Sequence, residues 1–151
     1  ADNKKELDGR LNSFDLVKKN HDTAFQLVNE LLATKKSDIN RLELGFEMAE
    51  LSAASWQTAE RTGALAHMEY AEVQRLSRLY DAQSLYLEHQ RRTLERLAAA
   101  VTLFAGGDPH TAPAKDLETF RAHVLELQGG YAIQAQLGQR LSELYERALR
   151  E

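Results

Sequence analysis

Ten residues between Val73 and Phe104 follow one another at alternating intervals of three and four: Val73, Leu76, Tyr80, Gln83, Leu87, Gln90, Leu94, Leu97, Val101 and Phe104. Such heptad spacing keeps one stripe of a helix facing a neighbour. Leu79, Tyr86 and Ala100 widen the stripe on one flank, as in a helix of a globular bundle. The pattern predicts a helix over 69–105, roughly 55 Å long at about 1.5 Å per residue. A helix of that length needs partners of comparable length.

The chain supplies two. A second seam runs through Leu117, Phe120, Val124, Leu127, Tyr131, Gln134, Gly138, Leu141, Tyr145 and Ala148 and predicts a helix over 114–150. Gly129-Gly130 inside it mark a kink or a close backbone approach. Gly106-Gly107-Asp108-Pro109 stop the preceding helix and Pro113 helps to set the next start. A connection this short makes the two helices antiparallel. Aligning Phe104 with Leu117 places Gln90 near Tyr131, Leu87 near Gln134 and Gln83 near Gly138. The first long helix, over 4–33, carries Leu7, Leu11, Phe14, His21, Phe25, Val28 and Leu32 on the face that should lie against both partners. Lys18 and His21 interrupt that face.

Between these rods lies a less regular stretch. Ser37-Asp38 offer an N-cap, and Ile39, Leu42, Phe46 and Ala49 have helical spacing, so a helix is expected over 39–51. Gly45 weakens it by about 1 kcal/mol, and Leu44, Phe46 and Met48 alternate instead. Ser52 then opens a short helix to Arg61 that ends at Gly63, with Trp56 pointing inward beside Ala59 and Leu65. The expected architecture is therefore all-α. Residues 1–151 form one domain, an elongated antiparallel helical bundle of three long helices plus short helices in the 38–68 segment, which makes the fourth wall and closes one end. The two prolines fall in one connection and strand signals are almost absent.

Composition narrows the function. The chain has no cysteine, so disulfides and thiolate metal sites are excluded. Its net charge is −4 with basic residues dispersed, whereas nucleic-acid binding needs a concentrated Lys/Arg footprint. No apolar run approaches the ~20 residues of a membrane span. A di-iron bundle needs Glu-x-x-His pairs, but Lys18, Ala64, Tyr86, Gly107 and Phe120 stand three residues before the histidines. No histidine pair has helical zinc spacing, so neither metal nor cofactor is expected. No nucleophile elbow or phosphate-binding loop appears. Glu88, His89 and Arg91 crowd one turn, as on a solvated face. No catalytic residue is assigned, and the chain is not read as an enzyme.

One pattern calls for a site. Polar residues interrupt all three seams near mid-length: Lys18 and His21, Gln83 and Gln90, and Gln134 beside Gly129-Gly130. The favoured reading is a buried polar layer that fixes register. The competing reading is a small-ligand pocket between helices, bound by His21, Gln83, Gln90, Tyr131 and Gln134.

The stretch Trp56-Gln57-Thr58-Ala59-Glu60-Arg61-Thr62-Gly63-Ala64-Leu65, with Leu79-Tyr80 further on, resembles a family of uncharacterised bacterial proteins. They share a W-x-x-A-x-x-T/S-G-A-L segment and a long helix bearing an L-Y pair. Family members often have proline before that helix, where Met68-Glu69 stand here. The resemblance implies a single membrane anchor near the N-terminus, absent from this chain, and a helical domain outside the cytoplasm, in the periplasm. It carries no activity to any residue. The resulting expectation is a non-catalytic interaction or scaffold domain that binds an unknown protein partner or a second copy of itself as a homodimer. The alternative is a ligand-sensing four-helix domain of the chemoreceptor or sensor-kinase type.

Overall fold

The computed structural model describes residues 2–104 and 107–150. Among them the chain is all-α, as its composition predicts, with no strand. Five α-helices follow in order: α1 (Asp2–Asn12), α2 (Phe14–Thr34), α3 (Ala54–Thr62), α4 (Tyr70–Thr102) and α5 (Ala114–Arg150). Short 3₁₀ turns, Ala64–His67 and Pro109–Thr111, precede α4 and α5.

The predicted first helix is interrupted at Ser13, which separates α1 from α2. It ends at Lys35, whose left-handed backbone (φ 57°) lets its N–H return to the Leu31 carbonyl. Gly63 (φ 72°) ends α3 as expected. The end of the predicted 69–105 helix, and Gly106 of its stop signal, lie outside the described residues.

α5 is the central element. Along it the inward row is Leu117, Phe120, Val124, Leu127, Tyr131, Gln134, Gly138, Leu141 and Tyr145, all buried. This is the stripe its heptad spacing marks, short only of Ala148, which is partly buried. α4 packs along α5, and so do α1 and α2. Gly130 meets His89 and Thr93, and Phe104 meets Phe120 edge-on, so the antiparallel alignment is right to within about one helical turn.

The stripe on α4 is turned from its predicted position. Its most buried residues are Leu79, Gln83, Tyr86, Gln90, Thr93 and Ala100, which the spacing had placed partly on a flank. Val101 is half-exposed, and Leu76 and Leu87 sit at the margin. The rotation has a cause. The backbones of α1 and α2 lie closer to α5 than to α4, and the first helix meets α4 through side chains, Asn3 with Gln83, Leu7 with Leu79 and Tyr86, and Leu27 and Leu31 with Ala100, so it touches both as expected. The groove left between them is filled by residues 36–53, and α4 turns to face that segment as well as α5.

Residues 36–53 are not the expected helix but an irregular, extended strap. Its apolar side chains reach three parts of the core. Ile39, Leu42 and Leu44 pack with Leu27, Leu31, Ala100 and Phe120. Phe46 joins Phe14, Val17 and Tyr131, and Ala49 and Leu51 join Leu7, Leu79, Tyr86 and Leu141. The helical spacing of Ile39, Leu42, Phe46 and Ala49 is thus used by a segment that reaches successive levels of a groove. Lys18 does not enter the core. It is exposed and pairs with Asp22. Tyr70, at the start of α4, is 75% exposed. α3 buries no residue fully, and Trp56 reaches inward only far enough to stack on Tyr80, with ring centroids 5.3 Å apart and planes at 16°.

Candidate functional site

An extended segment in a helical groove lacks neighbouring strands, yet its buried N–H and C=O groups need partners. Polar side chains of the helices supply them. Gln90 on α4 pairs with both backbone groups of Ala49: the Ala49 N–H donates to Gln90 Oε1 (2.9 Å) and Gln90 Nε2 donates to the Ala49 carbonyl (3.1 Å). Asn3 on α1 repeats the arrangement at Ser52, accepting from its N–H at 3.0 Å and donating to its carbonyl at 2.7 Å. Between them Gln83 donates to the Leu51 carbonyl (3.4 Å) and accepts from Asn3 (3.2 Å) and from the Tyr145 hydroxyl. Burial pushes the Tyr145 phenol up to about 12, so it remains the protonated donor. On α2, His21 Nε2 meets the Gly45 carbonyl at 3.1 Å. The ion pair Arg10–Glu47 (3.0 Å) adds an outer tie. We call this set the clip.

The five residues singled out from the sequence are all buried, but the structure divides them. Gln83 and Gln90 belong to the clip. Gln134 and Tyr131 do not, and His21 is shared. Because a carbonyl oxygen only accepts, His21 Nε2 carries the proton and Nδ1 presents a lone pair. Among the described residues that nitrogen has no partner, and neither do the hydroxyls of Tyr86 and Tyr131 or either end of the Gln134 amide. Burial holds His21 below its ordinary 6.5, against the pull of the Gly45 carbonyl, and so keeps the ring neutral. Burial also raises the phenols of Tyr86 and Tyr131. The Gln134 amide opposes the rise at Tyr86 without reaching hydrogen-bond geometry.

Glycine shapes the space around Gln134. A Cβ at Gly138 would stand 2.7 Å from Leu11 Cδ2 and 3.1 Å from Tyr86 Cε2, and one at Gly130 would stand 2.8 Å from Arg96 Nη1. Gly129 has open space. The glycine pair thus marks a close approach at Gly130, and α5 runs through it uninterrupted.

Beside this layer, where α2 meets α5, a pocket of about 310 Å³ opens to the surface. His21, Phe14 and Tyr131 line it with Lys18, Asp22 and Gln128. A larger hollow of about 550 Å³ lies under the strap near Leu42, Ala100 and Phe104, and none of the unpartnered buried groups lines it.

The trio Glu88, His89 and Arg91 does not act as a unit. His89 faces the Gly130 carbonyl at 2.8 Å, Arg91 pairs with Glu95, and Glu88 pairs with Arg92. Among the described residues no group of three or more His, Cys, Asp or Glu side chains is placed to hold a metal ion, and no helix is long and apolar enough to cross a membrane. Sequence reasoning missed Asn3 as a partner of the strap and Tyr145 as the hydroxyl that donates to Gln83. Asn3 is remote from Ser52 in sequence, and Tyr145 sits on a regular apolar seam. Comparison with protein-family models, curated proteins and solved structures returns no match.

Proposed function

We propose that the chain is a non-catalytic scaffold or interaction domain, the extracytoplasmic part of a bacterial membrane-anchored protein, built as an elongated bundle of three long helical rods. The observation that supports this reading is the clip. Asn3, Gln83 and Gln90 direct their hydrogen-bonding capacity at the main chain of residues 49–52, an arrangement that fixes shape. The location rests on the resemblance, and its two parts meet in space, since Trp56 of the first stacks on Tyr80 of the second. The partner is another protein or a second copy of the chain.

Fractionation of cells producing the natural full-length protein tests both halves. The expected result is a membrane-bound protein cleaved by protease added from outside the cytoplasmic membrane, and sedimenting after gentle solubilisation as a complex larger than one chain. Protection from that protease would overturn the location. Sedimentation as a lone monomer would overturn the scaffold role.

A further inference from the structure

The bundle is covered unevenly. α1 and α2 hold α5 from one side, where Ser142 bonds to Asp8 and Gln128 to Asp22. On the opposite side of α5 runs the row Ile133, Leu137, Arg140 and Leu144, spaced four, three and four. Leu137 and Leu144 of that row form an open groove of about 480 Å³ with Ala82 and Leu85 of α4, and only α4 and α5 line it. Leu85 is 53% exposed and Ile133 50%. Apolar side chains gathered along two long helices in this way mark a contact surface.

The charges around the groove identify what covers it. Arg78, Asp81 and Arg140 border it, and none of them makes a hydrogen bond or ion pair among the described residues. Tyr86 stands at Gly138 and Thr93 at Gly130. This register puts Asp81 within about one turn of the level of Arg140, and Leu85 within about one turn of Leu137. It also brings Arg96 on α4 level with Glu126 on α5, about two turns before Ile133. A two-fold axis parallel to the helices lays α4 of one copy along α5 of the other and keeps every level. Each Asp81 then meets an Arg140, each Arg96 a Glu126 and each Leu85 a Leu137, while Arg78 lays its aliphatic stem over Leu144. An axis across the helices at the level of Asp81 would instead set α4 on α4 and Asp81 against Asp81. An acidic peptide would satisfy the two arginines and oppose Asp81. The face matches itself.

We propose that this groove is the seam of a parallel homodimer, in which α4 and α5 of two copies form a four-helix bundle. The proposal rests on the reading of the chain as an interaction domain and names its partner as a second copy. Sedimentation equilibrium of the full chain tests it, and the expected result is a monomer–dimer equilibrium within about 1–100 μM. Asp81→Arg and Arg140→Asp, both at exposed positions, should each weaken the dimer at least about tenfold, because each sets like charges across the seam twice. Mixed in equal amounts, the two variants should pair with each other to within about threefold of the parent, because both contacts then join opposite charges. Leu85→Glu, at a half-exposed position that the monomer does not need, should also weaken the dimer at least about tenfold. A parent chain that stays monomeric at about 100 μM, or a dimer indifferent to Leu85→Glu, would overturn the proposal. Charge variants that fail to rescue each other would overturn the parallel arrangement. A monomeric chain beside a natural full-length protein that still sediments in a larger complex would overturn the seam and leave the scaffold role standing, with a different protein as partner.

Discussion

Replacing Gln90 by leucine removes a buried part of the clip while keeping a side chain of similar size. Gln90 is 4% exposed and Ala49 2% exposed, so the Ala49 N–H and C=O lose their partners at 2.9 and 3.1 Å in a place water does not reach. A buried backbone group left unpaired costs about 1–3 kcal/mol, so two cost about 2–6 kcal/mol. The leucine returns about 1–2 kcal/mol through its apolar surface. The net loss is centred on about 2.5 kcal/mol, a sizeable share of the roughly 5–15 kcal/mol that a domain holds in reserve. With a urea dependence of about 2 kcal/mol per M, the unfolding midpoint falls by about 1.2 M. Urea unfolding followed by circular dichroism measures it, with Gln139→Leu on the exposed side of α5 as control, expected within about 0.5 kcal/mol of the parent. Amide hydrogen exchange locates the loss: the Ala49 and Ser52 N–H groups should speed up most and the middle of α5 least. A Gln90→Leu protein as stable as the control, with Ala49 exchanging as before, would refute the reasoning.

Other outcomes follow from single positions. Gly129→Ala should stabilise by about 1 kcal/mol, since its Cβ meets nothing and a helix prefers alanine. Gly138→Ala should destabilise by about 1 kcal/mol, since overpacking against the buried Tyr86 ring outweighs the same gain. Thermal unfolding of the two variants checks the opposite signs. His21, held below its ordinary 6.5 by burial, should keep neutral-ring NMR signals as pH falls through that value. The unfolded chain then takes up a proton that the folded chain refuses, so this contribution to stability is present above about pH 6.5 and is lost as pH falls toward the folded-state value. Trp56→Ala should cost about 1 kcal/mol through the lost stack on Tyr80, read by chemical denaturation.

The α5 seam is legible in the sequence because one face of that helix is covered along most of its length, so burial follows the spacing residue by residue. The α4 seam is legible in period but not in phase. Its neighbours are a helix on one side and the strap on the other, and the heptad pattern alone does not reveal which flank faces the groove. The strap itself was hidden for two reasons. Ile39, Leu42, Phe46 and Ala49 have the spacing of a helix, and the groups that hold the segment extended, Asn3, Gln83 and Gln90, lie far from it along the chain. The polar interruptions of the seams did mark an unusual level of the bundle, but not whether an amide there meets another side chain, a ligand or a backbone. Gln90 meets a backbone, while Gln134, flanked by Gly130 and Gly138, meets none of these among the described residues.

The clip is tested most directly by the side-chain amide protons of Gln90. In an NMR spectrum of the isotope-labelled chain they should exchange slowly with water and show strong nuclear Overhauser effects to Ala49, with carbon shifts over 39–51 in the extended range. Rapidly exchanging Gln90 amide protons without contacts to Ala49, together with helical shifts over 39–51, would contradict the account.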